Sequence, residues 1–262
     1  MIYFLIKIKN TINIMSFNVC EQAINLTNRD NIYGESLCKT KKGNICRNNI
    51  IKFINNSDFD FLGIQEGDRK LFEKLKEKKK YEFITGKQGR YSIACLVYND
   101  QKFQIIEQID GQTTNEKPRR WVAGLFNLIG TNINILVISL HMPHFKCFSS
   151  INQELEEILK KKRCKIWEES NPKIIIVGDF NFEINKNITI KNKTFYNSFN
   201  NNFLNTGYDK SLKGLDTNLK ISSDHILYDS TKFKKISKVE TKNTLNNKIL
   251  PNNFKGKMNS TK

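Results

Sequence analysis

Five stretches of this sequence set a polar side chain suited to hydrolysis at the end of an apolar run. INIMSFNV carries Asn18, DFLGIQE ends on Glu66, INILVISLHMPH delivers His141, and KIIIVGDFN delivers Asp179 and Asn181. SSDHILY opens on Asp224 and His225. Together they supply carboxylates, imidazoles and carboxamides. Hydrolysis of a phosphodiester needs such groups, because the enzyme must neutralise the phosphate oxygens, aim a water in line and stabilise the departing alkoxide. Taken singly each residue has a plainer explanation. A strand-end Asp or Asn is ordinarily a turn former or cap, and a lone histidine is ordinarily a satisfied one. Their recurrence at strand ends, in this order, carries the information.

The elements that must position these groups are short and rich in Ile, Val and Phe. Strands are expected over 12–19, 60–64, 91–98, 121–129, 133–140 and 173–180, several so continuously apolar that both faces must be buried. ILY at 226–228 reads as a further strand, MIYFLIKIKN as a first strand or an extension before one, and KFKKISKVETKN (232–243) as another. Between them, 68–80 and 151–170 space their apolar residues three and four apart, as amphipathic surface helices do. Mixed strands and helices imply an α/β layered domain. NNFLNTGYDKSLKGLDTNLK (201–220) reads as loop, and there is no internal repeat.

The chain has 262 residues, enough for one large core, and a formal net charge of +17 from 43 Lys and Arg against 26 Asp and Glu. That balance suits a polyanionic partner such as nucleic acid or an anionic membrane surface, although the lysines are scattered as a coding bias would scatter them. Six cysteines without a C-x-x-C pair, beside only three histidines, leave too few ligands for a structural zinc and suggest reduced thiols. The opening stretch is apolar for six residues before lysine interrupts it, too short for a signal-peptide core or a bilayer span, so a soluble intracellular protein, monomeric, is expected.

The order SFNV, DFLGIQE, SLHMPH, IIIVGDFN, SSDH resembles the endonuclease/exonuclease/phosphatase superfamily over roughly residues 12–240, GDFN being the most specific match. The resemblance implies a four-layer α/β sandwich of the deoxyribonuclease I type, two packed mixed β-sheets flanked by helices, with the site where the sheets open at one edge. With 244–262, polar and rich in Asn and Lys, read as a divergent, disordered tail, it implies a single domain over 1–243. It also implies a Mg²⁺-dependent phosphoric ester hydrolase, with Mn²⁺ as a substitute cation. By resemblance Glu66 is the principal metal ligand and Asn18 adds an amide oxygen or hydrogen bonds beside it. Asp179 orients or deprotonates the attacking water, Asn181 donates to the phosphate, and His141 is a second phosphate donor or an acid for the leaving group. His141, together with Cys20 where AP endonucleases carry Asp, fits the deoxyribonuclease, sphingomyelinase and phosphatase branches better than the AP endonuclease branch.

SSDHILYDS fits two signatures of that family. As its terminal motif, Asp224 and His225 form the catalytic pair, yet 37 residues follow. As an earlier D-x-I strand, Asp224 orients a later histidine; the spacing to LPNNF (250–254) favours this, but Asn252 and Asn253 stand where Asp-His is expected. Both remain open here, with His225 pointing away from the site in the second. For substrate, Arg119 and Arg120 of KPRRW are the expected phosphate contacts, with Trp121 either stacking on a base or lying in the core. A nuclease acting on DNA or RNA is the leading expectation. The alternatives are a phosphatase or phospholipase C-like enzyme on inositol phosphate or sphingomyelin headgroups, and a catalytically degenerate phosphate-binding module.

Overall fold

A computed structural model of the chain describes residues 2–7, 11–19, 43–77, 81–86, 93–114, 120–143, 147–182, 184, 187–190, 193–197 and 224–239. In chain order its strands are β1 (Ile2–Lys7), β2 (Thr11–Asn18), β3 (Phe61–Gly67), β4 (Tyr81–Thr85), β5 (Ile93–Asn99), β6 (Phe103–Gln112), β7 (Arg120–Leu128), β8 (Asn134–His141), β9 (Lys173–Asp179), β10 (Ile188–Ile190), β11 (Lys193–Asn197), β12 (Asp224–Asp229) and β13 (Lys234–Val239). Its helices are α1 (Gly43–Asn56), α2 (Arg69–Lys76), α3 (Phe148–Lys160) and α4 (Lys162–Glu169).

The strands form two mixed sheets, ordered β13-β1-β2-β3-β5-β4 and β10-β11-β12-β9-β8-β7-β6. In each sheet the described pairings are antiparallel except one, β2 with β3 and β8 with β9. A parallel pair requires a crossover, and helices serve it in both sheets: α1 lies between β2 and β3, and α3 and α4 between β8 and β9. Three apolar clusters make four layers of these elements. Ile14, Phe61, Val122, Val137, Ile175, Val177 and Ile226 fill the gap between the sheets. Phe17, Leu62 and Ile64 pack outward against Phe53 of α1 and Leu71 and Phe72 of α2. Leu136, Ile138 and Ile176 pack outward against Leu155 of α3 and Trp167 of α4. Adjacent residues of β3, β8 and β9 thus enter different clusters, which explains why these strands carry no polar alternation. β6, at the edge of its sheet, does alternate buried with exposed positions.

Two glycines set close approaches that matter for the site. A Cβ on Gly63 would lie 2.4 Å from Val177 Cγ2 and 2.9 Å from Ser139 Oγ, so β3 of one sheet rides directly on β8 and β9 of the other. A Cβ on Gly178 would lie 2.0 Å from the Leu140 carbonyl oxygen, which only glycine permits in the GDFN stretch. The helix expected over 151–170 is two helices, broken where Lys161 leaves helical geometry (φ −55, ψ 139).

Candidate functional site

The two parallel pairs bring four strand ends to one edge. Asn18 closes β2, Glu66 lies at the end of β3, His141 closes β8 and Asp179 closes β9. The carboxyl ends of parallel strands are where the chain must leave the sheet, and a crevice forms there. Register places His141 directly beside Asp179, and Asn18 beside Gln65.

Glu66 reaches the crevice through a local irregularity. Gln65 points into the gap between the sheets, where its Nε2 donates to Ser139 Oγ at 3.3 Å. In a regular strand the next side chain would face the opposite way. The β3–β5 register shifts between Ile64 and Gly67, and Glu66 sits at φ 59, so its carboxylate also turns inward. Such a bulge re-aims a side chain at a conformational cost of order 1–2 kcal/mol for a residue other than glycine.

The result is a compact polar cluster. One carboxylate oxygen each from Glu66 and Asp179 and a ring nitrogen of His141 all lie within 4.8 Å of one another. His141 Nε2 is 3.8 Å from both Glu66 Oε1 and Asp179 Oδ2. Asn18 Nδ2 donates to both carboxylates, at 3.1 Å to Glu66 Oε1 and 2.8 Å to Asp179 Oδ2. Relative exposure is 7% for Glu66 and 1% for each of the other three. Two carboxylates so close and so buried repel one another in a medium that screens poorly, which a cation between them would reverse. Hard oxygen donors with one imidazole, at this spacing, fit a divalent cation.

The neighbouring backbone is tied to the same point. Asp179 Oδ1 accepts from Asn181 N at 2.8 Å, and Asp179 O accepts from Met142 N at 2.8 Å. Asn181 takes the left-handed conformation (φ 52) that Asn tolerates, and its Nδ2 donates to Met142 O at 2.5 Å. Asn181 is therefore set beside Asp179 by a tight turn and not by the alternation of an extended strand.

No family model matches the chain, and no curated protein matches it by sequence. Solved structures do. An endonuclease/exonuclease/phosphatase family protein from Bacteroides thetaiotaomicron superposes with a TM-score of 0.55 at 19% identity, over 83% of this chain and 82% of that one. Its fold is that of the endonuclease/exonuclease/phosphatase proteins. Mannosyl-6-phosphatase Bt3783 of the same species matches at TM-score 0.56 and 19% identity over 83% of this chain and 85% of that one. The catalytic domain of human Nocturnin, solved with a bound sulfate anion, matches at 0.55 and 14% identity over 78% and 82%.

Against this endonuclease/exonuclease/phosphatase-type fold the residues expected from sequence divide as follows. Asn18, Glu66, His141, Asp179 and Asn181 are brought together. Asn18 presents its NH₂ group to the carboxylates and donates to both. Asp224 stands opposite Asp179 in the β12–β9 register. His225 stands opposite Gly178 and leaves the cluster. It is 1% exposed, its ring meets Phe180 edge-on at 5.5 Å, and its Nε2 lies 3.2 Å from Ile184 N and 2.9 Å from Phe182 O. The terminal-dyad reading of His225 is corrected accordingly: strand alternation turns its side chain to the opposite face. Arg120 begins β7 and shares the parity of Val122, which faces the gap between the sheets; Trp121 lies opposite Leu140, so Arg120 starts beside the His141 end of β8. Its Nη1 is 3.9 Å from Asp110 Oδ2. Trp121 is 1% exposed in the outer cluster and cannot stack on a base. Arg119, Cys20, Asn252, Asn253 and the tail 244–262 lie outside the described residues. Among the described residues no helix is long and apolar enough to cross a membrane.

Proposed function

We propose that this chain is a metal-dependent phosphodiesterase whose cation is Mg²⁺, with Mn²⁺ able to substitute, and whose substrate is the backbone of DNA or RNA. One observation carries the reading: Glu66, Asp179 and His141 converge from both sheets within 4.8 Å at the strand ends. Glu66 would hold the cation, with Asp179 beside it. When bound, the cation supplies neutralisation of the phosphoryl oxygens and of the departing alkoxide.

The remaining work falls to the chain's own groups. Asn18, with both N–H bonds spent on the two carboxylates, fixes their separation. Asp179, oriented by Asn18 and by Asn181 N, is placed to aim a water and take its proton. His141 donates to a phosphoryl oxygen or to the leaving group. Asn181 spends one amide hydrogen on Met142 O and has the second for phosphate. Arg120, at the strand start beside His141, adds a positive charge that suits a bridging phosphate.

The net charge of +17 favours a polyanionic backbone over a small ester. A phosphatase acting on a small headgroup is the competing reading, supported by the fold shared with mannosyl-6-phosphatase. Purified protein assayed with Mg²⁺ against plasmid DNA, RNA oligonucleotides, inositol phosphates and sugar phosphates separates them. Chelator-sensitive cleavage of nucleic acid, lost in Asp179→Asn with the fold intact, is expected. Turnover of sugar or inositol phosphates alone would favour the phosphatase reading, and full activity of Asp179→Asn in any arm would refute the site.

A further inference from the structure

Glu66 holds a left-handed conformation that its own strand does not enforce, so something beyond the strand must hold it. The chain leaves Glu66 through Gly67, where a Cβ would lie 2.6 Å from Phe72 Cζ, and then enters Asp68, the N-cap of α2. Asp68 Oδ1 accepts from Leu71 N at 2.7 Å, which suffices to cap the helix. Its carboxylate is engaged further. Arg47 Nε donates to Oδ1 at 3.2 Å and Arg47 Nη2 to Oδ2 at 2.5 Å, a two-pronged ion pair with side-chain exposures of 10% and 13%. Arg47 belongs to α1, the crossover that joins the strand ending in Asn18 to the strand ending in Glu66. Through Phe53 the same helix packs edge-on against Phe17, the residue before Asn18. One rigid helix thus grips the chain on both sides of the carboxylate cluster.

We propose that Arg47 is a positioning residue for Glu66: by locking Asp68 to α1 it fixes the turn that aims the Glu66 carboxylate at Asp179 and His141. This rests on the reading of Glu66 as the cation-holding carboxylate. A planar guanidinium fork fixes both oxygens of Asp68, whereas an ammonium fixes a point. Partners that orient a metal-holding carboxylate commonly change metal affinity ten- to a hundredfold when removed.

The test is Mn²⁺ affinity by calorimetry and by the Mn²⁺ paramagnetic resonance signal, with thermal stability measured on the same samples. The variants are Arg47→Lys, Arg47→Met, Glu66→Gln and Lys102→Met. Lys102 makes the ion pair at the opposite end of β3, with Asp60 at 2.7 Å, and controls for a general loss of strand support. Expected is a fall in Mn²⁺ affinity of about tenfold or more in both Arg47 variants, Lys included, with Lys102→Met losing stability but holding affinity within about twofold of wild type. If Arg47→Met fails to fold, Arg47→Lys decides. Wild-type affinity in Arg47→Lys, or an equal loss in Lys102→Met, would overturn the proposal while leaving the metal reading standing so long as Glu66→Gln abolishes binding. A wild-type protein that takes up no Mn²⁺ would overturn both.

Discussion

Replacing Glu66 with Gln should stabilise the metal-free protein while removing its response to metal. The carboxylate oxygens of Glu66 and Asp179 lie within 4.8 Å, and their side chains are 9% and 2% exposed. At an effective dielectric near 20 their repulsion is roughly 3 kcal/mol. Glutamine keeps an oxygen to accept from Asn18 Nδ2, now 3.1 Å from Glu66 Oε1, and the weaker neutral bond gives back about 1 kcal/mol. The net gain of about 2 kcal/mol corresponds to a melting temperature about 4–8 °C higher for a domain of this size. Saturating Mg²⁺ acts in the other direction. At a concentration a hundredfold above Kd it stabilises the wild type by about 2.7 kcal/mol and leaves the variant, which has lost a hard anionic ligand, nearly unmoved.

Thermal unfolding by circular dichroism at pH 8, once in chelator and once in excess Mg²⁺, reads both effects. The two proteins should differ in one direction without metal and converge or reverse with it. A Glu66→Gln variant that melts below wild type in chelator, or that gains as much from Mg²⁺, would refute the argument that these carboxylates are a strained pair awaiting a cation.

Two other outcomes follow from groups outside the cluster. His225→Ala should act through packing and through the lost contacts with Phe182 O and Ile184 N, lowering stability by about 2–3 kcal/mol as a buried, hydrogen-bonded side chain does, with Mn²⁺ affinity kept. Loss of metal binding at unchanged stability would put His225 back in the site. Cys147 is exposed, and hydrogen bonds from Ser149 and Ser150 pull its thiol down to about 7, while burial holds Cys95 far above the usual thiol range. A lowered value means more thiolate at a given pH. Iodoacetamide labelling mapped by mass spectrometry should therefore reach half its maximal rate at Cys147 near pH 7, with Cys95 inert in the folded protein. Half-maximal labelling at the pH of an ordinary thiol would contradict the hydrogen-bonding argument.

The buried strands were legible because burial on both faces leaves nothing for polar residues to do, and KIIIVGD, NILVISLH and RWVAGLFNL show it plainly. What escaped had other causes. β6 alternates polar and apolar residues at a sheet edge, and FQIIEQIDGQ carries charge enough to pass for loop. α1 is rich in Asn and weakly patterned, and is a helix because Ile50, Phe53 and Ile54 find Phe17 and Leu62 beneath them. Tertiary packing supplied what propensity did not.

The site itself was legible as a set of residues and illegible as a geometry. Strand alternation is a reliable guide at His225, where it turns the ring away from Asp179. It misleads at Glu66 and Asn181, where the chain departs from the period of two; these are two of the three described non-glycine residues with a positive φ, and the third, Asn171, lies between α4 and β9. Those departures assemble the polar cluster. Alternation alone would give the crevice Gln65 and leave the carboxylate on the outer face with Leu62 and Ile64. The bulge at Glu66 brings both inward, and the missing side chain at Gly63 lets the two sheets close until Glu66 from one meets Asp179 and His141 from the other. Conformational strain at Glu66 and charge repulsion with Asp179 both oppose the folded state, so the surrounding structure must over-determine them. Asn18 holds the charges apart, and Arg47 with Asp68 holds the backbone. A sequence that kept Asn18, Glu66, His141 and Asp179 but carried a larger residue at position 63 would keep the polar groups and lose the cluster.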